Sequence, residues 1–226
     1  MRCAVVAFPL VALAACGGGG GDGDPGDRRP SSLVSAAARG DVGSVRRLLA
    51  DGAPVNTRDR DRRTAVTAAA LGDHVDVVRM LIEAGADVDL QDAERNNPLL
   101  VCGITGNVAM LREVLRADPD VRLTNRFGGT ALIPASERGH VDMVRALLRT
   151  GIDVDHVNRL GWTALLEAVI LGDGGPAHRQ IVQLLVDAGA DLGLADRDGL
   201  TALDHARERG YDEIARTLEA AGGNAS

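Results

Sequence analysis

Residues 130–151 read Thr130-Ala131-Leu132-Ile133-Pro134-Ala135-Ser136-Glu137-Arg138-Gly139-His140-Val141-Asp142-Met143-Val144-Arg145-Ala146-Leu147-Leu148-Arg149-Thr150-Gly151. Thr130 can cap a helix, because its hydroxyl accepts an otherwise unpaired first-turn amide. Leu132 and the small Ala135 follow, and Gly139 suits a helix stop. Met143, Val144, Leu147 and Leu148 then recur at offsets that place them on one face of a second helix. Gly151 closes that helix as a left-handed cap would. Two short helices of this kind cannot bury their apolar faces alone and need neighbours.

The neighbours are in the same chain. Aligned on Ser31, Thr64, Asn97, Thr130, Thr163 and Thr201, the sequence repeats at four intervals of 33 residues and one of 38. Two residues after each anchor stands Leu33, Val66, Leu99, Leu132, Leu165 or Leu203, and five after it Ala36, Ala69, Cys102, Ala135, Ala168 or Ala206. Nine after it come Gly40, Asp73, Gly106, Gly139, Gly172 and Gly210. Small residues at the fifth offset let helices approach closely, so a core can form although aromatics make up only 2% of the chain. The pattern predicts an all-α solenoid of six helix-turn-helix units with projecting loops between them, starting near residues 26, 59, 92, 125, 158 and 196 of a domain over 31–226.

These residues resemble the ankyrin repeat, whose unit reads Thr-Pro-Leu-His-x-Ala-Ala, then Gly-His, Val-Val-x-Leu-Leu-Leu and Gly-Ala-Asp. The resemblance covers about 31–222 and implies a protein-binding scaffold whose inter-repeat loops form projecting fingers. Some positions depart from the pattern. Only Pro98 keeps the consensus proline; repeat three has Asp118-Pro119 in place of a closing glycine; Pro134 falls inside a first helix, where it should distort the opening turn. Polar Ser44, Arg47, Thr217 and Glu219 in the outer stripes read as solvent-facing ends of the array. The residues Asp173-Gly174-Gly175-Pro176-Ala177 read as an enlarged turn within repeat five.

Before the array, the apolar run 4–15 is too short for a membrane span, which needs about 20 residues, but suits a signal peptide. Its end, Leu13-Ala14-Ala15-Cys16, resembles the lipobox of bacterial lipoproteins, which implies cleavage before Cys16 and lipid attachment to its thiol. The expectation is a signal peptide over 1–15 and a flexible Gly/Asp-rich tether over 16–30, with the mature chain exported and held at a cell or outer membrane.

Composition narrows the chemistry. All 25 basic residues are arginine, so neither a phosphate loop with its lysine nor Schiff-base catalysis is available. A net charge of −7 argues against nucleic acid as a partner. His74, His140 and His178 recur in one column just after the turn, which suits local backbone bonding at the start of the second helix better than metal ligation. The pairs Asp87/Asp89 and Asp153/Asp155 read as turn formers. No catalytic constellation emerges, and no cofactor or metal is expected.

The fingers hold the candidate binding residues. An Asp or Asn recurs five residues before the anchor, at Asp59, Asp92, Asn125, Asn158 and Asp196, and arginines follow at Arg60, Arg126, Arg159 and Arg197. Fingers four and five combine arginine with large apolar side chains and contain no acid: Arg126, Phe127, Arg159, Leu160 and Trp162. Those types dominate interface hot spots, although packing between fingers would also use Phe127 and Trp162. Glu137, Arg138 and Glu167 on the adjoining first helices are expected to form a polar rim. The expected function is a monomeric, non-enzymatic adaptor binding another envelope or secreted protein. A cytoplasmic binding protein with a misassigned start, or an enzyme with a divergent site, are the other readings.

Overall fold

A hydroxyl or amide side chain starts most of the first helices. Thr64, Asn97, Thr163 and Thr201 each accept a hydrogen bond from the backbone N–H three residues on, at Thr67, Leu100, Leu166 and Asp204. The computed structural model describes residues 32–222. Within them, helices come in pairs: α1 (Leu33–Ala38) with α2 (Val42–Ala50), α3 (Ala65–Leu71) with α4 (Val75–Glu83), α5 (Pro98–Thr105) with α6 (Val108–Leu115), α7 (Leu132–Glu137) with α8 (Val141–Leu147), α9 (Ala164–Ile170) with α10 (Pro176–Asp187), and α11 (Ala202–Glu208) with α12 (Asp212–Gly222). First helices stack on first helices and second on second through all six pairs, as a solenoid requires. The expected signal peptide over 1–15, lipidation of Cys16 and tether over 16–30 lie outside the described residues.

Ala36, Ala69, Cys102, Ala135, Ala168 and Ala206 have no exposed surface, which explains how the first helices pack so tightly. The approach is close at Gly103 of α5, where a β-carbon would stand 2.3 Å from the Ala131 carbonyl oxygen. Burial pushes the Cys102 thiol up to about 12, so it packs as a small apolar residue. Val77, Val78, Leu81, Met143, Val144, Leu147, Ile181, Val182 and Leu185 complete the core from the second helices.

Three local expectations change or sharpen. Ser32, not Ser31, caps α1, accepting from the Ser35 amide. The segment Asp173–Ala177 is not all turn, because Pro176 and Ala177 begin α10, which reaches 12 residues. Proline suits that first-turn position, where no amide is needed. In repeat three, Asp118 adopts φ +50 at the column that Gly52, Gly85, Gly151 and Gly189 occupy, so the helix ends there without glycine. Pro134 does distort its helix. With no N–H at 134, the Thr130 carbonyl instead accepts from Ile133 at 3.3 Å, and the Thr130 hydroxyl is buried without a partner.

The histidine column ties repeats together, and His178 also bonds within its own repeat, its Nδ1 meeting Asp173 Oδ1 at 2.8 Å. His74 Nε2 donates to the Ala38 carbonyl at 3.2 Å, His140 Nε2 to Ile104 at 3.2 Å and His178 Nε2 to Glu137 at 3.0 Å, each in the preceding repeat. Tyr211 Oη takes over this task in repeat six, donating to the Gly172 carbonyl at 3.0 Å.

Candidate partner-binding surface

Each finger is built on its Asp or Asn. Asn125 Oδ1 accepts the amides of Phe127 and Gly129, Asn158 Oδ1 those of Leu160 and Trp162, and Asp196 Oδ1 those of Asp198 and Leu200. The backbone closes the same five residues, as in the 3.0 Å bond from Asn158 N to the Trp162 carbonyl. Asp59 and Asp92 repeat this geometry. The recurrent Asp or Asn is thus an Asx turn that holds an otherwise exposed loop in one shape.

The arginine column joins consecutive fingers. Arg126 N donates to the Glu94 carbonyl and Arg159 N to that of Phe127 at 2.9 Å. Arg159 Nη1 reaches the Arg126 carbonyl at 2.8 Å, and its aliphatic stem lies over Gly128, 2.9 Å from where a β-carbon would be. Arg197 repeats the contact on the Arg159 carbonyl. Finger four lacks an acid of its own, yet Arg126 is paired with Glu94 of finger three and sits 4.7 Å from the Phe127 ring centroid. That stacking favours the cation.

Arg126, Phe127 and Arg159 are therefore brought together at the surface, with Phe127 43% exposed. Leu160 and Trp162 are half-buried, and Trp162 packs against the core. Glu137 is half-buried at the end of α7, and Arg138 is exposed just beyond it. Glu167 departs from its expected place on a polar rim. It is 5% exposed, with Oε1 accepting from Asn158 Nδ2 at 2.7 Å. Burial, reinforced by the Glu137 charge and only partly opposed by Asn158, pushes its carboxyl up to about 8.

Two residues of this surface escaped the sequence reading. Val157, at the base of finger five, is 48% exposed. Its signal was available, because the equivalent positions hold Arg58, Gln91, Thr124 and Ala195, none of them a large apolar residue. Asn158 stands in the recurrent Asp/Asn column, but neither its turn-forming oxygen nor its nitrogen's bond to Glu167 is legible there. The Asp pairs behave as turns: Asp87 and Asp153 accept the amides of Asp89 and Asp155, while Asp89 and Asp155 receive amides from Asp120 and Asp191 of the next repeats. Among the described residues no His, Cys, Asp or Glu group is arranged to hold a metal ion, and no helix is long and apolar enough to cross a membrane.

Comparison with known proteins agrees with this architecture. The family model for ankyrin repeats in three copies matches residues 13–92, 33–125 and 99–196. The ankyrin repeat protein YahD of Escherichia coli (strain K12) is 54% identical over 56 residues, 25% of this chain and 28% of that protein, so the match spans little more than a quarter of the relative's length. Among solved structures, an ankyrin repeat domain of Acinetobacter baumannii AYE superposes with a TM-score of 0.81 at 48% identity, covering 84% of this chain and 97% of that one. The ankyrin repeat protein EF0377 superposes with a TM-score of 0.80 at 38% identity, again over 84% of this chain and 97% of that chain.

Proposed function

Because the chain belongs to the ankyrin-repeat family, whose repeats are a protein–protein interaction module, we propose that it is a non-enzymatic adaptor that binds a partner protein through fingers four and five. The observation that carries this reading is the placement of Phe127 and Val157. They are two of the four large apolar side chains exposed among the described residues, Phe127 next to Arg126 on finger four and Val157 just before finger five, two residues from Arg159. Apolar and guanidinium groups held on a rigid loop pair are what a binding hot spot needs, since the shape is already organised before the partner arrives. The chain acts as a monomer. Leu160 and Trp162, half-buried on finger five, and Glu137 and Arg138, at the end of α7, complete the proposed surface.

The N-terminal residues supply the location. Cys16 carries a lipid after removal of 1–15, residues 16–30 act as a tether, and the partner is another envelope or secreted protein. The support is the short apolar run ending in Leu13-Ala14-Ala15-Cys16 and the apolar-poor stretch after it.

Two experiments test the two halves. Replacing Phe127→Ser together with Val157→Ser should leave the helical spectrum intact while abolishing capture of the envelope partner. Undiminished capture by this variant refutes the finger assignment. Metabolic labelling with a fatty acid should mark the wild-type chain and not Cys16→Ala, whereas an unlabelled wild type removes the lipid anchor.

A further inference from the structure

One side-chain hydrogen bond from the turn of finger five to α9 ends on a buried carboxyl group. Asn158 uses its side-chain oxygen for the Leu160 and Trp162 amides and its side-chain nitrogen for Glu167 Oε1. The finger's shape and its attachment to α9 thus share a single amide. Repeat six has the same joint in another chemical form. Asp196 receives the Asp198 and Leu200 amides on Oδ1 and His205 Nε2 on Oδ2 at 2.7 Å. In repeats two to four the helix residue at this place is Ala68, Val101 or Pro134, so no such joint exists.

The two joints differ in what opposes the carboxyl. In repeat six an acid faces a base. In repeat five a buried acid faces a neutral amide, which cannot compensate a negative charge. The other elements packed on α9 do not supply a cation. From α7 comes Glu137, a like charge acting directly on Glu167, with the exposed Arg138 after it. On α10, His178 is bonded to Asp173 and the Glu137 carbonyl, Arg179 is paired with Glu213, and Asp187 accepts from Gln183. On α11, Asp204 is held by Thr201, His205 by Asp196 and Arg207 by Glu219, while Glu208 is exposed. Within finger five itself, Arg159 is turned to the Arg126 carbonyl.

We propose that finger five is a proton-controlled element: protonated Glu167 keeps it docked on α9, and ionisation of Glu167 releases it, moving Leu160 and Trp162 together. A buried carboxylate with one hydrogen bond and no cation is far costlier than the neutral acid. The charge is relieved when the side chain turns to water, and that turn gives up the Asn158 bond. Asn158 then holds the loop's internal shape but no longer ties it to α9, and the bonds of Arg159 to finger four become the pivot about which the loop shifts.

Trp162 is the chain's one tryptophan and lies inside the moving loop, so its fluorescence reads the event directly. For the full chain titrated from pH 6 to pH 9.5, we expect one emission transition with a midpoint near pH 8, at constant helical circular dichroism. Glu167→Gln should abolish it, because glutamine keeps the acceptor for Asn158 and cannot ionise. Glu137→Gln should move the midpoint to lower pH, because the like charge favouring the neutral acid is gone. A wild type whose emission stays flat, or a transition that persists in Glu167→Gln, overturns the proposal. Should Glu167→Gln fail to fold, the Glu137→Gln titration decides, and an unmoved midpoint overturns it.

Discussion

The imidazole of His140 lies over Gly106, with ring atoms 2.7 Å from the point a β-carbon on Gly106 would occupy. His74 covers Gly40 and Gly72 in the same way, and the Tyr211 ring covers Gly174. Gly40 and Gly106 therefore each do two things: they take a positive φ, +67 and +73, and they leave room for the ring that ties the next repeat down. Gly106→Ala meets both obstacles. A left-handed alanine costs about 1–2 kcal/mol, and the displaced ring loses its carbonyl bond, worth about 1 kcal/mol. Urea unfolding should show a loss of roughly 2–3 kcal/mol for Gly106→Ala and about 1 kcal/mol for His140→Ala.

The fourth residue of each finger turn also has positive φ. Fingers four, five and six place Gly128, Gly161 and Gly199 there, whereas fingers two and three place Arg62 at φ +60 and Arg95 at φ +62. A side chain is strained in that conformation and glycine is not. Arg62→Gly and Arg95→Gly should each stabilise the fold by about 0.5–1 kcal/mol, the relief of strain being larger than the added freedom of the unfolded chain. A lower melting temperature in either variant would contradict this.

Thr64 and Thr130 are equivalent in sequence and unequal in structure. Thr64 caps α3 through the Thr67 amide, while the Thr130 hydroxyl has no partner because Pro134 has rearranged the turn. Thr64→Ala should cost about 1 kcal/mol, as a lost cap does. Thr130→Ala should cost well under 0.5 kcal/mol on the same scale. Thermal unfolding of the two variants side by side checks the contrast.

Glu167 sets a pH dependence with a definite sign. Its carboxyl is raised from 4.5 to about 8 in the folded chain. Between those values the native state holds a proton that the unfolded chain has lost, so stability falls as pH rises through the window and levels off above it. Glu167→Gln removes this slope. At pH 8 it should be the more stable protein by roughly 1–3 kcal/mol, with the difference vanishing toward pH 4. Equal pH profiles for the two proteins would show that Glu167 is not the group responsible.

What could be read before the fold was known follows from how far each interaction reaches. Caps, turns and helix faces depend on residues within five positions, so the helix pairs, the recurrent Asp/Asn column of the fingers and the effect of Pro134 were all legible. Repetition then extended one reading over six units. Several misplacements involve contacts about one repeat away. His140 was expected to bond locally, but its acceptor is Ile104, 36 residues earlier. Finger four holds no acid of its own, and the partner of Arg126 is Glu94 in another finger. Glu167 sits on the helix face that fingers overhang, and only the exact tilt of finger five decides whether such a residue is at a rim or beneath it.

Fingers four and five form the surface proposed to meet another protein. Photocrosslinking in intact cells tests this most directly, with a photoreactive amino acid placed at Val157 on the finger side or at exposed Gln183 on α10. One recurring polypeptide attached from position 157, and absent from position 183, is the predicted result. Equal attachment from both positions, or attachment from 183 alone, would contradict it.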